Sequence, residues 1–180
     1  QTRRLGRLVT QLLDLSRLES GEQPFDIRPF AIADLMEGAA REARLHAPDD
    51  VFFSIDAPAE LLVNGDAERI HQVVMNLVEN AVRYSPRPGH VALRATGADG
   101  QVVLAVDDEG PGIADEDLER VFERFYRGDG RERVAAGADR GGAGLGLAIA
   151  RWIVDLHGGT IRAERRDPTG SHMVVTLPRA

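Results

Sequence analysis

Three stretches of this 180-residue chain set polar and glycine residues at spacings that could hold a phosphorylated ligand. In the first, Asn76, Asn80 and Arg83 recur four and three residues apart inside an apolar run, so on a helix they share one face. Amide and guanidinium groups among Val and Leu must find polar partners or cost desolvation energy. A phosphate carrying Mg²⁺ is one such partner, because Mg²⁺ takes few oxygens from protein and the rest from phosphate and water. Hydrogen bonds to neighbouring loops are the other. The second stretch is Asp107-Asp108-Glu109-Gly110-Pro111-Gly112-Ile113, which follows a β-like run. Its glycines let the backbone come close to a ligand, and a carboxylate at a strand end can accept from an exocyclic amine such as that of adenine. The alternative is an ordinary acidic turn. The third, Gly141-Gly142-Ala143-Gly144-Leu145-Gly146-Leu147, opens a helix and could present free N–H groups and the positive end of its dipole to phosphate. It follows a long polar loop and not a strand, which argues against a dinucleotide-binding βαβ unit. It also lacks the Gly-Lys-Ser/Thr ending of a P-loop.

Composition narrows the chemistry. All 22 basic residues are Arg, with no Lys and no Cys, against 29 acidic residues and a net charge of -7. Zinc-thiolate sites, disulfides and lysine chemistry are excluded, so phosphate would be handled by backbone amides, Arg or a metal. Net acidity speaks against nucleic acid as a partner. No run of about 18 apolar residues marks a membrane span, and the first residues lack a signal-peptide pattern. Arg without Lys fits a high-GC genome.

The elements that must position these residues read as mixed α/β. Leu5, Leu8, Leu12 and Leu15 form a 3-4-3 seam ending at Gly21, as in a bundle helix whose partner lies elsewhere. After Pro24 come a short strand at 25–30, an amphipathic helix at 31–46 and a strand at 51–56. Asn64-Gly65-Asp66 reads as a turn, with Asp66 capping a long helix over 67–84. Strands at 90–96 and 102–107 form a hairpin. A short helix is expected at 115–122, a lid-like loop at 128–142 and a helix at 145–156. Strands at 158–163 and 172–177, turning around 167–170, close the chain. This order predicts an α+β fold: a two-layer α/β sandwich with a mixed, mostly antiparallel sheet and helices on one face.

In order and spacing these segments resemble the ATP-binding domain shared by sensor histidine kinases, DNA gyrase, heat-shock chaperone ATPases and mismatch-repair ATPases, known as the Bergerat fold. Within that superfamily the chain looks like a bacterial two-component sensor histidine kinase. The N box is matched by His71–Tyr84, the first glycine box by Asp108-Glu-Gly110-Pro-Gly112, the phenylalanine box by Val121-Phe122-Glu-Arg-Phe125-Tyr126-Arg127 and the second glycine box by Gly142-Ala-Gly144-Leu-Gly146-Leu147. Leu156-His157-Gly158-Gly159 and Thr176-Leu177-Pro178 fit as well, and residues 4–21 are similar to the second helix of the dimerisation and histidine-phosphotransfer domain. The resemblance implies two parts, residues 1–21 from that bundle and residues 22–180 as the catalytic domain.

It also implies roles. Asn80 would ligate Mg²⁺, and Asn76 would lie beside the phosphates of ATP, where ATP-hydrolysing cousins carry a water-activating Glu. Arg83 stands at the place of a basic residue near the phosphates, and Tyr84 and Ile113 belong beside the nucleotide. Asp108 would bind the adenine amino group, with Gly110 and Gly112 allowing its approach. Phe122 and Phe125 would anchor the lid hinge, and Arg127 would stabilise charge on the transferred phosphoryl group. Gly142, Gly144 and Gly146 would wrap the phosphates, with Leu145 and Leu147 as core or pocket lining.

The five His, at 46, 71, 90, 157 and 172, lack the His-Glu/Asp context of a phosphoacceptor and read as structural or surface groups. The chain is therefore expected to bind ATP without phosphorylating itself. The acceptor would be the His-bearing helix of the same kinase or of a partner chain, in a homodimer built through the N-terminal helix. The phosphoryl group would pass on to a response regulator, all in the cytoplasmic region of a membrane-anchored protein. A split kinase, a same-fold serine kinase and a non-enzymatic binding module are the competing readings.

Overall fold

A mixed five-stranded sheet with α-helices on one face forms the core of the computed structural model. The structure describes Gly6, Val9, Thr10, Leu13, Ser16, Ser20, Gly21, residues 24–126 and residues 144–180. The first six of these are helical, as the leucine seam predicts, and Gly21 lies in a turn. In chain order the elements are β1 (Arg28–Ala31), α1 (Ile32–Arg44), β2 (Val51–Asp56), β3 (Leu62–Gly65), α2 (Ala67–Tyr84), β4 (Gly89–Ala98), β5 (Gln101–Asp107), α3 (Gly146–Leu156), β6 (Thr160–Arg165) and β7 (Ser171–Pro178). The large sheet runs β2-β4-β5-β7-β6. β2 lies parallel to β4 and the other pairings are antiparallel.

α2 exists because Ile70, Val73, Val74, Leu77, Val78 and Ala81 make one buried stripe. It starts where the Asp66 carboxylate accepts the Arg69 N–H at 3.1 Å. It ends at Ser85, which adopts an extended backbone ahead of Pro86. The stripe packs on Val91, Leu93 and Ala95 of β4, Leu104 and Val106 of β5, and Ile149 and Ile153 of α3. Because strand side chains alternate, Asp107 faces the open side of the sheet, where it hydrogen-bonds His172 and pairs with Arg94 at 3.2 Å. Asp108 follows on the helix side.

Two expectations change. Leu62-Val63-Asn64-Gly65 is not part of a turn: it pairs antiparallel with β1, Arg28 opposite Gly65 and Ala31 opposite Leu62, and only Asp66 stands outside the ladder as the cap. Residues 115–122 form two 3₁₀ turns, Asp115–Asp117 and Arg120–Phe122, and no α-helix. Only Val121, Phe122 and the partly buried Leu118 face the core there, too few for a helical stripe.

Candidate functional site

The C-terminal half of α2, the loop 108–114, the first turn of α3 and the start of β7 surround a cleft. Asn80, Tyr84, Asp108, Gly112 and Ile113, all singled out from sequence, line it. Its floor is apolar, from Leu77, Ala81, Val121, Leu147 and Met173. A flat aromatic group fits such walls, and a few polar atoms suffice to orient it.

Asp108 is the main polar group of the cleft. The residue is 5% exposed. Oδ1 accepts the Gly110 N–H at 2.8 Å and the Ser171 N–H at 3.3 Å. Burial pushes its carboxyl above the usual aspartate range, while those two N–H groups, the Ser171 hydroxyl and the Arg166 guanidinium pull it back down. Gly110 cannot carry a side chain, because a Cβ there would lie 2.6 Å from the Tyr84 carbonyl oxygen. That close approach joins the end of α2 to the acidic loop.

The opposite end of the site is less complete. Arg83 Nη1 donates to Asn80 Oδ1 at 3.4 Å, a long bond that leaves this oxygen a second lone pair. Asn76 meets the first turn of α3: a Cβ on Gly146 would be 3.4 Å from Asn76 Oδ1. The Asn76 Nδ2 is buried and has no partner among the described residues. Phe122 is buried, whereas Phe125 is 59% exposed and its N–H donates to Gly144 O at 2.9 Å. Leu145 is fully buried in the core and does not line the cleft. Arg127 and Gly142 lie outside the described residues.

A family model described as "Histidine kinase-, DNA gyrase B-, and HSP90-like ATPase" matches residues 65–180. The chain belongs to this family. It is 38% identical to the sensor-like histidine kinase SenX3 of Mycobacterium tuberculosis over 179 residues, which are 99% of this chain and 43% of SenX3. The chain thus spans less than half of that relative's length. Among solved structures, full-length ShkA in complex with AMPPNP superposes with a TM-score of 0.80 at 27% identity, covering 98% of this chain and 36% of ShkA. Histidine kinase ThkA in complex with the response regulator TrrA gives 0.74 at 26% identity, covering 99% of this chain and 49% of ThkA. The chain carries the ATP-binding catalytic region of a sensor histidine kinase.

Seen as a kinase region, the cleft holds residues that motif reading missed. Ser171 and Met173 reach it from β7 and Asp117 from a 3₁₀ turn. Asp117 is buried and accepts a hydrogen bond from the Tyr126 hydroxyl, and the Arg120 guanidinium lies 4.3 Å above the Tyr126 ring. None of these positions belongs to a glycine or asparagine box. Ser171 follows Gly170 after the last polar turn, the only local hint that it could serve a site.

Proposed function

We propose that this cleft binds ATP with Mg²⁺, its base against Asp108 and its phosphates along Asn76, Asn80, Arg83 and the glycine-led start of α3. The observation that carries this reading is the buried carboxylate of Asp108, held by two backbone N–H groups at the edge of an apolar cleft and ready to accept from an amino-bearing ring. At the other end, Asn76 lies against the α3 N-terminus, and its Nδ2, without a partner among the described residues, would be satisfied by a phosphate oxygen. Asn80 Oδ1 is an oxygen donor of the kind Mg²⁺ selects. A metal held there would neutralise phosphate charge. Tyr84 and Ile113 would flank the base, Gly110 and Gly112 would let it approach, and Gly144 with Gly142 and Arg127 would complete the phosphate side.

In the whole protein the γ-phosphoryl group would leave ADP for an imidazole nitrogen on a dimerisation helix, and then pass to a carboxylate of a response regulator. Residues 1–21 would be the end of that helical bundle and 22–180 the catalytic part. A homodimer built through the bundle and a cytoplasmic position in a membrane-anchored sensor of a high-GC bacterium complete this reading. Among the described residues no helix is long and apolar enough to cross a membrane.

Calorimetric titration with MgATP tests the site. The chain should bind, Asp108→Ala should weaken binding about tenfold or more, and Asn80→Ala should remove its Mg²⁺ dependence. Undiminished binding in both variants would sink the assignment. With labelled ATP alone the chain should form no acid-labile phosphohistidine, and a His-bearing bundle helix supplied in trans should become labelled. Label on the isolated chain would show that one of its five His is an acceptor.

A further inference from the structure

The turn between β6 and β7, residues 166–170, does more than reverse the chain. Arg166 N–H closes it onto Gly170 O at 3.1 Å, and the Arg166 Nη1 reaches back to the Asp108 carbonyl oxygen at 3.3 Å. Asp108 N–H donates to Ser171 O at 3.1 Å, and Ser171 N–H returns to the Asp108 carboxylate at 3.3 Å. Gly170, at φ +116°, lies so close that a Cβ would come within 2.0 Å of Asp108 O. Asp108 is thus gripped through its N–H, its carbonyl and its carboxylate by one hairpin 58 to 63 residues away in sequence.

We propose that Arg166, which does not line the cleft, is a positioning residue for the base: from the hairpin it fixes Asp108 and biases the cleft toward a purine bearing an amino group. The inference rests on Asp108 being the base-binding carboxylate. An ionised carboxylate only accepts hydrogen bonds, so it suits a 6-amino purine and repels a 6-oxo oxygen. A protonated one carries a donor and loses that preference. Burial favours the protonated form here; the Gly110 N–H and the Ser171 N–H and hydroxyl oppose it, and the Arg166 guanidinium adds a smaller pull in the same direction. Among the described residues that border Asp108, Arg166 is the cation on the hairpin. Asp117 faces the same cleft from its 3₁₀ turn, and Tyr84 and Asn80 face it from α2. The neighbouring acids are engaged elsewhere, Glu109 with the His90 N–H at 3.1 Å and Asp107 with His172 and Arg94 on the far face.

The test titrates MgATP and MgITP, whose base carries a 6-oxo group, into the chain from acid to neutral pH. Arg166→Met should weaken MgATP binding about fivefold at neutral pH. It should also move the acid limb of the binding profile to higher pH and narrow the preference for MgATP over MgITP. Arg166→Lys, which keeps the charge, should restore the acid limb. Arg165→Met removes the same charge one residue away, from an exposed pair with Asp115 at 3.4 Å, and should behave as the parent chain. Should Arg166→Met not fold, Arg166→Gln carries the same comparison and should shift the limb equally. An unmoved limb with unchanged selectivity in a folded Arg166 variant overturns the proposal, as does an equal shift in Arg165→Met. In either case parent binding of MgATP leaves the site reading standing. A parent chain that binds neither nucleotide defeats the site reading and this inference together.

Discussion

Helices α2 and α3 run side by side and meet at two ends, and the two ends are built on opposite principles. At the first, the start of α2 meets the end of α3. His157 Nε2 accepts the Asp66 N–H at 3.0 Å, and its Nδ1 hydrogen-bonds Ile153 O at 2.7 Å. The Asp66 carboxylate takes the N–H groups of Arg69 at 3.1 Å and Asp26 at 3.0 Å. Phe25 sets its ring edge-on to the imidazole, centroids 5.0 Å apart. Each of these polar groups has a partner from the chain itself. At the second end, Asn76 meets Gly146, and its buried side-chain N–H has no partner among the described residues. A buried donor without a partner costs free energy. Among the described residues, the first end is closed and the second leaves a buried donor without an acceptor, the place that the proposed reading gives to a phosphate oxygen.

Mutation can break this contrast, and the largest effect belongs to the closed end. His157→Ala removes a buried ring, leaves the Asp66 N–H without its acceptor, takes from Ile153 O its side-chain partner while the backbone N–H of residue 157 remains, and loosens the packing of Phe25. We expect a loss of about 2–4 kcal/mol in urea unfolding. Nucleotide affinity of the folded fraction should change far less, because His157 lies at the helix ends away from the cleft. A cost below about 0.5 kcal/mol, the range of ordinary surface substitutions, would mean that the closed end does not hold the helices together.

The open end should respond with the reverse pattern. Asn76→Leu replaces an unsatisfied amide with an apolar group of similar size. The unfolding free energy should stay level or rise by up to about 1 kcal/mol, while MgATP binding falls about tenfold or more. Stability loss on the scale of His157→Ala would show that the Asn76 amide serves the fold, and the contrast between the two ends would disappear.

How far this contrast could be read from sequence differs from residue to residue. The helices were legible, because Ile70 to Ala81 and Leu147 to Val154 repeat at helical spacing and Asp66 is a good cap. The site side chains on them followed, since Asn76, Asn80 and Arg83 can share a face only on a helix. β3 was not legible: Asn64-Gly65 has the composition of a turn, and its pairing with β1 is set by contacts about 35 residues apart. The same limit hid the Arg166 contact with Asp108, and Ser171, Asp117 and Met173 in the cleft. Local pattern carries periodicity and capping, whereas partners brought together by sheet register leave no local trace. His157 shows a further gap. Its type and its neighbouring glycines were visible, but its two hydrogen bonds depend on where α3 ends against α2.

The smallest expected effect lies between the two ends, at Asp108, where fold and ligand compete. Burial raises the Asp108 pKa in the folded chain above its unfolded value. The folded state therefore holds that proton more tightly. Its contribution to stability is complete below the ordinary aspartate range and is lost as pH rises through the raised value. Asp108→Asn keeps an Oδ1 acceptor for Gly110 and Ser171 but does not titrate. Without ligand it should melt above the parent chain at neutral pH, and the gap should close as the solution is acidified. With MgATP the order should reverse, because the ligand returns to the charged carboxylate, through the amino group of the base, what burial took from it. Thermal melts across pH, with and without MgATP, measure both differences. Identical melting of the two chains at every pH would mean that the Asp108 charge costs the empty fold nothing. The cleft would then be closer to the closed end in character than to the open one.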